Sequence, residues 1–128
     1  SEYKLDFHIN ENDRWPFTLR SVRNFVRADH GNKAVVVANG GAVRSFSQLE
    51  SDPNRMARIR GLEAEGVDFV VCEVALEERQ VKHELIPDYV RVVEAGIVEI
   101  AKLQAEGYGY VKASLNVDVS NKTLGAFL

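Results

Sequence analysis

Short apolar runs alternate along this chain with longer stretches of helical period. Tyr3-Lys4-Leu5-Asp6-Phe7-His8-Ile9 alternates in part and predicts a first strand. Asn10-Glu11-Asn12-Asp13 supplies turn and N-cap chemistry. Trp15, Leu19, Val22 and Val26 then recur at helical spacing with Phe25 beside them, and Pro16 suits a first turn. Asp29-His30-Gly31-Asn32 ends that helix. Residues 34–38 are apolar throughout and predict a strand covered on both faces. Residues 54–65 predict a helix with Met56, Ile59 and Leu62 inward, ended by Gly66. Residues 67–71 are nearly all apolar and β-branched, a third buried strand. The charged segment 74–85 predicts a short helix, broken at Ile86-Pro87-Asp88. A fourth strand over 89–93 follows. A helix then runs to Gly107 with Ile97, Ile100 and Leu103 inward, and a fifth strand covers 108–112.

This alternation implies one α/β domain of three layers, a mostly parallel five-stranded sheet with helices on both faces. Crossovers are expected to be right-handed, and the pattern does not fix strand order. The domain is expected over residues 1–112. Residues 113–128 are expected to form an extension packed on the domain or on a neighbouring subunit. Within it, Leu115-Asn116-Val117-Asp118-Val119 alternates, and Leu124-Gly125-Ala126-Phe127-Leu128 is apolar. Such surface usually marks an interface, so a homo-oligomer is expected.

Composition narrows the function classes. A net charge of −3 argues against a nucleic-acid surface. The basic cluster Arg55, Arg58 and Arg60 reads as the solvated face of an amphipathic helix. One cysteine excludes an intramolecular disulfide, and no apolar run approaches membrane-spanning length. The chain opens Ser1-Glu2-Tyr3-Lys4, without signal-peptide character, so a cytoplasmic location is the expectation.

That one cysteine, Cys72, falls where the third strand ends and a helix begins. Open α/β folds place their sites at the carboxyl edge of the sheet. Free N–H groups at a helix start favour thiolate over thiol. Glu73, Glu77 and Glu78 oppose that wherever they face the sulfur. The alternative is a cysteine that only fills space like a small apolar group. Asn39-Gly40-Gly41-Ala42 follows the second strand, where two glycines permit a tight turn or close approach to a ligand. It is neither a Walker sequence nor a complete dinucleotide fingerprint, and no cofactor is expected. His8, His30 and His83 show no metal-ligand spacing, so no metal is expected. His83 is an auxiliary candidate if it folds back on Cys72. No Gly-x-Ser-x-Gly elbow is present.

Several segments, in order, resemble the DsrE/DsrF-like family: Ala38-Asn39-Gly40-Gly41-Ala42, Gly66-Val67-Asp68-Phe69-Val70-Val71-Cys72, Leu85-Ile86-Pro87, Val92-Val93-Glu94-Ala95-Gly96-Ile97 and Leu103-Gln104-Ala105-Glu106-Gly107-Tyr108-Gly109-Tyr110-Val111-Lys112. The resemblance implies a flavodoxin-like or closely related fold and a homo- or hetero-oligomer, with dimer, trimer and hexamer all open. Some members, including Tus-type and Dsr-type subunits, pass sulfur as a cysteine persulfide. By resemblance, Cys72 is the strand-end cysteine, and Asn39, Gly40, Gly41 and Glu73 surround its ligand. Sulfur donor and acceptor proteins are then the implied partners, and any activity is at most that of a sulfur transferase or carrier. Two stretches depart from the family pattern. Cys72-Glu73-Val74-Ala75-Leu76 lacks the small polar residue two positions on, and Glu77-Glu78-Arg79-Gln80-Val81 lacks a glycine. The competing reading is a non-enzymatic small-ligand or interaction module with a structural Cys72.

Overall fold

The computed structural model describes residues 2–113. Of the extension expected over 113–128, Ala113 ends the fifth strand, and the rest, with its alternating stretch 115–119, lies outside the described residues. Five strands, β1 (Lys4–Ile9), β2 (Lys33–Ala38), β3 (Asp68–Cys72), β4 (Val90–Val93) and β5 (Gly109–Ala113), pair in the order β4-β3-β2-β1-β5. Every pairing is parallel.

That order decides where the helices lie. From β1 to β4 the chain steps in one direction across the sheet. Right-handed crossovers therefore deliver α1 (Trp15–Ala28), α2 (Pro53–Ala64) and α3 (Glu73–Glu78) to one face. The connection from β4 runs back past β3, β2 and β1, so α4 (Gly96–Ala105) covers the opposite face. The apolar clusters follow this division. Trp15, Leu19, Val22, Ile59, Leu62 and Leu76 pack against Phe7, Ile9, Val36, Phe69 and Val71. On the other side Ile100 and Leu103 meet Val35, Val37 and Val70. Each such side chain contributes about 1.5–3 kcal/mol by leaving water. Trp15 also ties α1 to the loop after β2, because its indole N–H donates to the Ala42 carbonyl at 2.9 Å.

Two expectations are corrected. Ile97 is 64% exposed, because Gly96 rather than Ile97 faces the sheet when Ile100 and Leu103 do. The helix expected over 74–85 is instead the six residues of α3, then a turn and a 3-10 segment at His83–Leu85. The turn exists because Val81 is pulled into the core, where it is 7% exposed. Its N–H bonds to the Leu76 carbonyl, and the N–H of Gln80 to that of Glu77. This pair of bonds is a Schellman ending, which needs a left-handed residue. The same pair of bonds closes α2 at Gly66 and α4 at Gly107, with φ of 103° and 95°. At α3 the left-handed residue is Gln80, with φ of 55°. A side chain there costs about 1 kcal/mol or more. Gln80→Gly is therefore expected to raise stability by about 1 kcal/mol in urea denaturation. A neutral or destabilised variant would show that Gln80 makes a compensating contact.

Candidate functional site

The connections of β3 and β4 leave their carboxyl ends towards opposite faces, β3 into α3 and β4 into α4. A crevice opens between such strands, and open α/β folds bind ligands there. Cys72 is the last residue of β3 and the N-cap of α3. It pairs in register with Val93 of β4. The N–H of Val74 reaches the Glu94 carbonyl at 3.3 Å and links the two rims. A groove of about 530 Å³ runs beside them, lined by Val74, Val93, Glu94, Ala95, Val98, Glu99 and Lys102. Cys72 does not line that groove; it lies beneath its edge, 6% exposed, packed with the larger apolar cluster.

Gly96, at the start of α4, sits directly over the cysteine. A Cβ on Gly96 would stand 3.3 Å from the Cβ atoms of both Cys72 and Asn39, and 3.3 Å from Cγ1 of Val37. The absent side chain is what lets the first turn of α4 rest on the ends of β2 and β3. The first N–H groups of a helix have no partner within it, and they favour negative charge in front of them.

Asn39 follows β2 and starts the 3-10 segment Gly40–Phe46. Gly40 has φ of 52°, and a Cβ there would lie 3.1 Å from the Asn10 carbonyl oxygen, so the loop turns hard against the end of β1. The Asn39 side chain meets His8 of β1, with Oδ1 2.8 Å from Nε2. The other ring nitrogen, Nδ1, is 2.6 Å from the hydroxyl of Tyr110 on β5. An amide oxygen only accepts, so Nε2 carries the proton, and Nδ1 accepts from the Tyr110 hydroxyl. Burial lowers the His8 pKa; the Asn39 bond pulls the other way, and the Lys112 charge adds to the lowering. A pKa lowered from 6.5 leaves the ring neutral at pH 7, and in that form Nδ1 accepts from the Tyr110 hydroxyl.

Asp6 lies two residues earlier on the same face of β1. It is fully buried, and neither carboxylate oxygen has a hydrogen-bond partner among the described residues. Burial raises its pKa to about 6, with the Glu99 charge adding to the effect. Glu99 is itself anchored by Arg91, whose guanidinium also pairs with Asp68. This ion network clamps α4 to β3 and β4.

The residues singled out from sequence are thus only partly brought together. Cys72 and Asn39 flank one point under Gly96. Glu73 follows Cys72 and pairs with His83, Nε2 to Oε1 at 3.1 Å, so His83 reaches the cysteine's neighbour. Gly40 and Gly41 lie on the β1 side of Asn39, where an added Cβ would meet Asn10. Sequence reasoning passed over Asp6, Gly96 and Tyr110, and weighed His8 only as a metal ligand. The alternation of Asp6 with His8, and of Tyr108 with Tyr110 and Lys112, was visible. Their facing one another depends on β5 lying beside β1.

The DsrE/DsrF-like family model matches residues 10–113. The chain belongs to the DsrE/DsrF-like family. Among solved structures, this family member is similar to a protein of unknown function, MTH1491 from Methanobacterium thermoautotrophicum. The identity is 25% and the TM-score 0.76, covering 86% of this chain and 98% of that one. It also shares its fold with the ychN protein of E. coli, at 13% identity and a TM-score of 0.70, covering 88% and 99% of the two chains. No curated protein matches this DsrE/DsrF-like chain. Among its described residues, no helix is long and apolar enough to cross a membrane, and no group of three or more His, Cys, Asp or Glu could hold a metal ion.

Proposed function

We propose that this protein carries sulfane sulfur as a persulfide on Cys72. The observation that carries the reading is the seating of the first turn of α4 on Cys72, with Gly96 as the contact. In the loading step the Cys72 thiolate attacks the terminal sulfur of a donor persulfide. A bond forms between Sγ and that sulfur, the donor's S–S bond breaks, and the donor departs as a thiolate. The proton stays on the transferred sulfur, and no net oxidation occurs. The groove lined by Val93, Ala95 and Val98 supplies an apolar wall for the approaching donor.

Incubation with a small-molecule persulfide, followed by intact mass measurement, tests this. The expected result is a gain of one sulfur on the wild type and none on Cys72→Ala. A wild type left unmodified, beside a competent carrier that loads, rejects the reading.

One observation favours the rival. Cys72 is 6% exposed and belongs to the larger core, as a purely structural cysteine would. Alkylation near pH 7 separates the two. Labelling of the native protein supports carriage, and labelling only after unfolding supports packing.

Self-association is also proposed here. Val74 and Val98 line the groove, 44% and 64% exposed, and Ile97, next to Val98 on α4, is 64% exposed; apolar surface of this kind marks interfaces. Light scattering is expected to give a multiple of 14.3 kDa. The mass of a single chain would reject the oligomer.

A further inference from the structure

Six arginines stand on the two long helices that share one face of the sheet: Arg20, Arg23 and Arg27 on α1, and Arg55, Arg58 and Arg60 on α2. Between them these helices hold one carboxylate, Glu63. The surface is thus basic in a chain of net charge −3.

Four of the six arginines have partners within the fold. Arg20 lies over the ring of Phe17, 5.8 Å from its centroid, and Arg60 over that of Tyr89, at 4.7 Å. Arg55 donates to the Ser45 hydroxyl at 3.0 Å. Arg27 forks onto Glu65, with Nε 3.3 Å from Oε1 and Nη2 2.8 Å from Oε2. Arg23 and Arg58 are exposed and have no hydrogen bond, ion pair or ring contact among the described residues.

Those two line the same cleft. It has a volume of about 220 Å³, and Arg27, Gly61 and Glu65 also line it. Glu65 is already held by Arg27, and three guanidinium groups against that one carboxylate leave the described walls with a net charge of +2. Like charges around a concave wall repel one another and focus their field on the space between them.

Gly61 is an independent observation. It interrupts the interior of α2, where glycine is the poorest helix former after proline. No packing requires it, because a Cβ on Gly61 would meet no neighbouring atom within 4 Å. The glycine keeps open a space that no described residue fills.

We propose that this cleft binds a phosphate monoester, with the phosphoryl oxygens held by the guanidinium groups of Arg23 and Arg58 and the approach left clear by Gly61. The planar fork of arginine matches two oxygens of such a group. A phosphate monoester carries about −1.5 to −2 at pH 7 and so balances the cleft, which a single carboxylate does not. The site makes no use of Cys72 and is independent of the persulfide reading.

Two probes test it: glycerol phosphate and a short peptide with one phosphoserine. They distinguish a free metabolite from a modified side chain as the source of the phosphate. Each is titrated into the full chain at constant ionic strength while the amide chemical shifts are followed. Saturable binding of either is expected, with the largest shifts around Arg23, Arg58 and Gly61, and the tighter probe names the source. Arg23→Gln and Arg58→Gln are each expected to weaken binding about tenfold or more, the loss of hydrogen bonds to a charged group. Arg20→Gln, outside the cleft, is expected to leave it unchanged. Gly61→Leu fills the cleft with a better helix former, so it is expected to keep or raise the melting temperature while abolishing binding. Failure of both probes to saturate at millimolar concentration overturns the proposal. An equal loss in Arg20→Gln, the mark of bulk attraction, overturns it too. Full binding by Gly61→Leu does the same, because the anion then sits elsewhere.

Discussion

Asp6→Val is expected to make the protein more stable above pH 7, and its advantage should shrink by about 3 kcal/mol as the pH falls to about 4. Asp6 is fully buried, with neither oxygen hydrogen-bonded among the described residues. Its pKa is raised from 3.8 to about 6 by burial, with Glu99 adding to it. Between those values the folded chain binds more protons than the unfolded chain. Stability therefore falls as pH rises through the window, and the loss is complete above about pH 6. At about 1.4 kcal/mol per pKa unit the loss comes to about 3 kcal/mol. Valine removes the titration and suits a strand. Urea denaturation of both proteins at about pH 8 and pH 4 measures the difference. Equal gaps at the two pH values would mean that Asp6 is hydrated or paired in solution. A group this costly two residues from His8 fits the rule that proteins surrender stability near their sites.

Gly96→Val is expected to cost about 2 kcal/mol and to speed the alkylation of Cys72 several-fold. The added Cβ alone would stand 3.3 Å from three carbons. Two of these are Cβ atoms fixed to the ends of β2 and β3, so they cannot swing aside as a long side chain would. The first turn of α4 must lift, and overpacking of this kind costs about 1–3 kcal/mol. Lifting it uncovers the sulfur. Gly96→Ala should show the same two changes at smaller size, because better helix propensity offsets part of the strain. Unchanged stability with unchanged labelling would show that α4 is not seated on Cys72.

The contrast between Gly96 and Cys72 shows what was legible in the chain. Cys72 was visible because a run of β-branched residues ends on it. Gly96 lay within a segment already compared with the family, but its role depends on the return of α4 across the sheet. Strand limits were close for the same local reasons. β2 begins at Lys33 and β5 ends at Ala113, each one residue from expectation. The α3 segment was misjudged because helical spacing continued in the sequence. The end is set by Val81 docking in the core, which no local pattern encodes. His8 was weighed only as a metal ligand. Its partners Asn39 and Tyr110 are 31 and 102 residues away, and strand order alone brings them together.

That separation has a bearing on how the protein is made. Ribosomes add about 5–20 residues per second, and the earlier segments begin to fold first. β1 to β4 are joined by short consecutive crossovers and can assemble as they emerge. β5 is the last described strand to be synthesised, yet it pairs with β1, the first. For several seconds the nascent chain presents β1 as an open edge, with Asp6 and His8 uncovered beside it. Free strand edges are where aggregation starts. A chain interrupted before Gly109 retains Cys72 and the Asn39 loop but has no Tyr110 to set the histidine. The cysteine is thus in place early, while its hydrogen-bonded surroundings wait for the sheet to close.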